Sequence, residues 1–127
     1  MSAQYLVKIE SDFAASHIIH GHQGACARLH GHNWKIEVEA TANKLDEIGV
    51  SVDFKQMKGY LREVLDIVEH RHLNDIPPFD KVNPTAENLG AWIYQQLKIK
   101  FNNTPAILQA VVVWETDRSM VRYSETR

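Results

Sequence analysis

The sequence predicts an α+β fold in which two helices cover one face of a four-stranded antiparallel sheet, in the order β-β-α-α-β-β. Three observations predict it. Two stretches near the N-terminus alternate polar and apolar residues. Two later stretches repeat apolar residues at helical spacing, each behind a residue suited to cap a helix. Two β-rich runs close the chain around a polar turn.

The first strand is expected over Tyr5 to Ala15. Tyr5, Val7, Ile9 and Phe13 share one face, and Lys8, Glu10 and Asp12 the other. Ile18 to Leu29, with Gly21 and Gly24, reads as a loop. A second strand follows from about His30 to Thr41, with Trp34, Ile36 and Val38 inward and Lys35, Glu37 and Glu39 outward. Asn43 to Gly49 is a polar turn region. Asp53 suits a helix N-cap, and Phe54, Met57, Leu61, Val64, Leu65 and Val68 recur at helical spacing behind it, which extends that helix to near His70. Leu73 to Pro84 carries three prolines and is expected to be irregular. Thr85 is a second N-cap with Glu87 in the first turn, and Leu89, Trp92, Ile93, Leu97 and Phe101 form the next apolar stripe. Ile107 to Glu115 and Met120 to Ser124 are the last strands, joined by Thr116-Asp117-Arg118-Ser119.

The chain has 127 residues, and nothing in it marks a linker or repeat, so a single domain over 1–127 is expected. Its 14 basic and 16 acidic residues leave a net charge of −2, which argues against a nucleic-acid binder, because phosphate binding needs a basic surplus. No run approaches the roughly 18 apolar residues of a membrane span. Met1 to Ile9 lacks the uninterrupted apolar core of a signal peptide. One cysteine, Cys26, excludes an intrachain disulfide and a Cys-rich zinc framework. A reducing cytoplasm fits these features.

Seven histidines stand out, five of them between His17 and His32. Successive side chains on a strand alternate faces. His30 and His32 share the parity of Trp34, Ile36 and Val38, and His17 continues that of Phe13 if the first strand stays regular through Ser16. Three imidazoles should then converge at one end of the core. Three histidine ligands with a fourth position open is the pattern of catalytic zinc, and zinc (Zn2+) is the preferred ion, although imidazole also suits copper, nickel and iron. His20-Gly21-His22 is a second His-x-His pair. It lies in a loop where no parity places it inward, so it reads as solvent-facing or at a pocket rim.

Cys26 stands four residues before His30, in a polar loop beside Arg28. Its thiolate could be a base, a nucleophile or a fourth metal ligand. His70, after Glu69, reads locally as a capping residue at a helix C-terminus. Glu115 ends the apolar run Val111-Val112-Val113-Trp114 and is either a solvated strand end or a buried anchor for a guanidine-like group.

Phe13-Ala14-Ala15-Ser16-His17, Cys26-x3-His30-Gly31-His32-Asn33, Glu69-His70, Pro84-Thr85-Ala86-Glu87-Asn88 and Glu115-Thr116, in this order, resemble the 6-pyruvoyl-tetrahydropterin synthase family over Tyr5 to Tyr123. Cys-x3-His-Gly-His resembles the branch that makes 6-carboxy-5,6,7,8-tetrahydropterin for queuosine. The resemblance implies the tunnelling fold, with subunits closing their sheets into a barrel, pterin at a subunit interface, and a hexamer built from two trimers. It implies 7,8-dihydroneopterin triphosphate as substrate, with loss of triphosphate and acetaldehyde in a carbon–carbon lyase reaction. Carried over by position, His17, His30 and His32 match zinc ligands, and Cys26 matches a proton acceptor. His70 matches a catalytic histidine acting from across a subunit boundary. Glu115 matches the acid that grips the amino-pyrimidine edge, and Thr85 and Glu87 match pterin-pocket positions. Glu69 stands where the family usually has Asp. The competing readings are pyruvoyl-forming chemistry, an unrelated zinc hydrolase with three histidine ligands, a structural zinc closed by Cys26, and a Cys-His hydrolase.

Overall fold

A computed structural model describes residues 3–102 and 104–126; Met1 and Ser2, which open the stretch read for a signal peptide, lie outside the described residues with Asn103 and Arg127. Strand β1 (Tyr5–His17) pairs antiparallel with β2 (His30–Ala42) in an unbroken register from Tyr5 opposite Ala42 to His17 opposite His30. β2 pairs with β4 (Ile107–Thr116), and β4 with β5 (Ser119–Tyr123), both antiparallel. Helices α1 (Phe54–Leu65) and α2 (Ala86–Phe101) lie between β2 and β4 in the chain.

The expected sheet needs one correction. It has five strands and is mixed, because β3 (Arg71–His72) adds parallel to β1, giving the order β3-β1-β2-β4-β5. A two-residue strand is too short to show a period of two, so no sequence pattern could announce it. The first helix is also shorter than expected. It ends at Leu65, and a series of turns carries the chain to His70.

Both expected caps form. Asp53 accepts from the Lys55 N–H at 2.9 Å, and Thr85 Oγ1 accepts from the Asn88 N–H at 3.1 Å. These bonds satisfy donors that the first helical turn leaves orphaned. α1 buries Met57, Leu61, Val64 and Leu65, while Phe54, expected in that stripe, is exposed. α2 buries Leu89, Ile93, Leu97 and Phe101, with Trp92 packed at the margin. Gly90 is the close-approach point of α2, since a Cβ there would stand 3.3 Å from Val113 Cγ2 and 3.4 Å from Tyr123 Cβ.

The helices and sheet enclose one core. Ile9, Phe13 and Ala15 of β1, Trp34, Ile36 and Val38 of β2, and Val111 and Val113 of β4 all belong to it. The residues of opposite parity form a charged sheet face, where Lys8 and Lys35 pair with Glu37, and Arg122 pairs with Glu39. Faces assigned by parity alone are therefore the faces observed, and they decide which side chains reach the open end of the core.

Candidate functional site

The site begins with strand register. His17 stands directly opposite His30, and His32 opposite Ala15, whose methyl leaves room for rings on both sides. His17, His30 and His32 each offer a ring nitrogen within 4.8 Å of the others. The three imidazole centroids lie 4.4 to 5.1 Å apart. Trp34 floors the group, its ring edge-on to His17 and His32 at 5.1 Å from each. Trp34 is itself held by an indole N–H donated to the Ala15 carbonyl at 3.3 Å.

Hydrogen bonds fix which nitrogen faces the centre. His17 Nδ1 donates to the Pro84 carbonyl at 2.8 Å, and His30 Nδ1 donates to the Arg28 carbonyl at 2.7 Å. A carbonyl can only accept, so Nδ1 carries the proton and Nε2 keeps its lone pair. His17 Nε2 and His32 Nε2 are buried without any hydrogen-bond partner. Two orphaned nitrogens beside a third imidazole fit a cation, because burying an unpaired polar atom is costly and one ion could take both lone pairs. Three histidines suit zinc, copper, nickel or iron.

Burial lowers the pKa of His17 below 6.5; its bond to Pro84 pulls the other way, and neighbouring His30 lowers it further. His32 is lowered by burial too, against the pull of the Glu115 carboxylate. Both rings are thus neutral at pH 7, the form that binds metal. In the unfolded chain these rings regain the ordinary pKa, so the unfolded state takes up protons first as pH falls. The metal-free protein is expected to keep its stability above pH 6.5 and lose it progressively as pH drops below that value toward the lowered folded pKa values. Thermal melts between pH 7.5 and 5 check this, and His32→Asn should flatten the profile.

Glu115 reaches the same centre. Its carboxylate oxygens lie 3.9 Å from His17 Nε2 and 3.9 Å from His32 Nε2. Those distances show its direction, for it stands where the β4–β5 register shifts between Trp114 and Thr116 and strand parity is broken.

Beside the histidine group lies a cleft of about 260 Å³, lined by Cys26, His22, Thr85, Glu87, Glu115 and Met120 among others. Four of the residues singled out in the sequence, Cys26, Thr85, Glu87 and Glu115, therefore share one wall system. Cys26 sits in a short 3-10 turn, Ala25–Ala27, half-buried and unpaired in any disulfide. Its loop is pinned at three successive residues. The Asn74 side chain bonds both backbone groups of Ile18 at 2.9 Å each. The Ile19 N–H donates to the Cys26 carbonyl at 2.8 Å. The Asn83 side chain bonds both backbone groups of His20 at 2.9 Å each. Asn74 and Asn83 were missed in the sequence, where nothing local distinguishes them from loop asparagines. The stretch Asn83-Pro84-Thr85 thus joins the loop, the His17 ring and the α2 cap.

His70 is placed elsewhere. It lines a concavity of about 470 Å³ with Ser16, Gly31, His32, Asn33, Arg71 and His72, so it borders the histidine centre through His32 but not Cys26. It does not cap α1, the role its local sequence suggests; its backbone is left-handed, with φ at 56°. Glu69 accepts the Ala14 N–H at 2.7 Å while the His70 N–H donates to the Ala14 carbonyl at 2.7 Å, so both polar groups of one β1 residue hold this corner. Glu69 acts here on backbone. Within one chain, His70 and Cys26 face different hollows.

The chain matches the family model described as 6-pyruvoyl tetrahydropterin synthase over residues 6–126. It is 32% identical to the 6-carboxy-5,6,7,8-tetrahydropterin synthase of Synechocystis, over 97% of this chain and 95% of that one. It is 33% identical to the 6-pyruvoyl tetrahydrobiopterin synthase of Dictyostelium discoideum, over 79% of this chain and 73% of that one. Its fold superimposes on the 6-pyruvoyl tetrahydropterin synthase of Caenorhabditis elegans with a TM-score of 0.85 at 25% identity, covering 98% of both chains.

Proposed function

From the premise that the chain belongs to the 6-pyruvoyl tetrahydropterin synthase family, we propose that it converts 7,8-dihydroneopterin triphosphate and water to 6-carboxy-5,6,7,8-tetrahydropterin, acetaldehyde and triphosphate, a carbon–carbon lyase step toward queuosine. The single observation that carries the reading is the orphaned His17 and His32 nitrogens opening beside the cleft that holds Cys26 and Glu115. Among branches of the family, the three-residue gap between Cys26 and His30 and the likeness to the Synechocystis enzyme favour the carboxy product.

His17, His30 and His32 would hold zinc, which supplies Lewis-acid stabilisation of negative charge developing on substrate oxygen. Glu115 accepts N–H donors from the amino-pyrimidine edge and fixes the ring relative to the histidines, so that reacting atoms need no search. Thr85 and Glu87 line the same cleft and help orient the pterin. Cys26 Sγ takes a proton from the substrate side chain, and a His70 ring nitrogen handles a proton as its acid–base partner. One protomer keeps these two groups in different hollows, so His70 comes from a second copy. The sheet ends on the two-residue β3 and on β5, edges that a second copy can extend. A barrel of trimers, doubled to a hexamer, supplies such copies in the cytoplasm, with no nucleic acid or membrane partner. No helix among the described residues is long and apolar enough to cross a membrane.

The test is product identity. Zinc-loaded protein is incubated with 7,8-dihydroneopterin triphosphate, and the pterin is identified by mass spectrometry. 6-Carboxytetrahydropterin with acetaldehyde is the expected outcome. A pyruvoyl product would keep the site and overturn the branch. No turnover would return the zinc-hydrolase and structural-zinc readings to the front.

A further inference from the structure

The pair His20-Gly21-His22 is the one sequence motif that the proposed reaction leaves without a task. Its two histidines fare differently. His20 is held through its backbone by Asn83, and neither ring joins a metal group among the described residues. His22 lines the cleft with Cys26, Glu87 and Glu115. Its Nδ1 accepts the Gly24 N–H at 2.9 Å. A nitrogen that accepts has no proton of its own, so the neutral ring carries its proton on Nε2. This is the opposite tautomer to that of His17 and His30, whose Nδ1 atoms donate to carbonyls and leave Nε2 bare for a metal. The same residue type is therefore set as a ligand at two positions and as a hydrogen-bond donor at the third.

We infer that His22 is a substrate-binding residue of this cleft, donating Nε2–H to an oxygen acceptor on the pterin substrate, either a carbonyl or a phosphate oxygen. The inference rests on the pterin reading above and deepens it. The acids of the cleft, Glu87 and Glu115, supply acceptors when ionised, and a pterin presents both N–H donors and oxygen acceptors. A donor of fixed tautomer completes what two carboxylates cannot provide. Gly24 is the positioning residue. A Cβ there would stand 3.1 Å from His22 Cε1 and 3.4 Å from Nδ1, closer than the ring tolerates without moving. Its backbone, at φ −125° and ψ −157°, accepts any side chain, so alanine there displaces the ring without straining the chain.

The experiment measures equilibrium binding and steady-state turnover on the zinc-loaded protein, its zinc content checked, for His22→Ala, His22→Gln and Gly24→Ala. The probes are 7,8-dihydroneopterin triphosphate and phosphate-free 7,8-dihydroneopterin. His22→Ala is expected to weaken binding and raise KM by about 10-fold, the worth of one hydrogen bond to substrate, with kcat within about twofold. His22→Gln, which keeps an N–H donor, should recover part of the loss, and Gly24→Ala should show a smaller loss of the same kind. An equal loss with both probes assigns the acceptor to the pterin, and a loss confined to the triphosphate assigns it to phosphate. Wild-type affinity in His22→Ala for both probes would overturn the role of His22 alone. Absence of binding by the unsubstituted protein would overturn the pterin reading and this assignment with it.

Discussion

His30→Ala is expected to empty the metal site and lower turnover by about 1,000-fold, with little change in fold. The Lewis-acid contribution of a bound ion is several kcal/mol, and about 4 kcal/mol corresponds to that factor. His30 is the suitable member of the three to replace. His17 is fully buried against Trp34 and tied to Pro84, so its loss would disturb the core. His30 is half-buried, and its ring bonds the nearby Arg28 carbonyl rather than the core. Metal content by elemental analysis should fall with kcat, while the melting temperature of the metal-free form stays near that of the unsubstituted protein. Full metal content with full turnover would remove His30 from the ligand set.

The second large effect concerns two hollows that one chain keeps apart. Cys26→Ala and His70→Ala are each expected to lose about 100- to 10,000-fold in kcat, the usual range for a general acid or base. If each working site takes Cys26 from one copy and His70 from another, the two inactive proteins should complement. Random assortment of equal amounts in a symmetric oligomer gives about one quarter of sites with both groups intact. Mixing after dissociation and reassociation, followed by the turnover assay, reads that fraction. Activity that stays at the level of the separate variants would place both groups in one protomer and oppose the interface proposed here. The geometric ground is the lining of the two hollows: His70 borders one with Ser16 and Asn33, and Cys26 borders the other with Glu87 and Glu115, while His32 of the histidine centre also borders the first.

The histidine group was legible because strands carry a strict period. Once Phe13 and Trp34 are assigned to the core, the faces of His17, His30 and His32 follow, and antiparallel pairing brings them to one end. The rule does not reach Glu115, which the sequence leaves open between a solvated strand end and a buried anchor, because the β4–β5 register shifts there. Helix positions and their Asp53 and Thr85 caps were legible for a similar reason, since cap chemistry is local. The first helix ran short because Val68 is buried and continues the apolar spacing, although the chain beyond Leu65 is held by turns. Spacing reports burial, and a buried turn produces it as well as a helix does.

The sequence by itself determined the layer order, the inward faces and the three-histidine convergence, all of which follow from side-chain periodicity along regular elements. Tertiary structure alone decided the rest. Asn74 and Asn83 grip a loop more than 50 residues away in the chain. The Pro84 carbonyl sets the His17 tautomer across a separation of 67 residues. β3 exists because Arg71 and His72 find β1, and His70 turns away from the cleft because Ala14 captures the backbone around it. These are hydrogen bonds between distant, aperiodic segments. A loop residue has no period to betray its face, so its partner is known only once the chain has closed on itself.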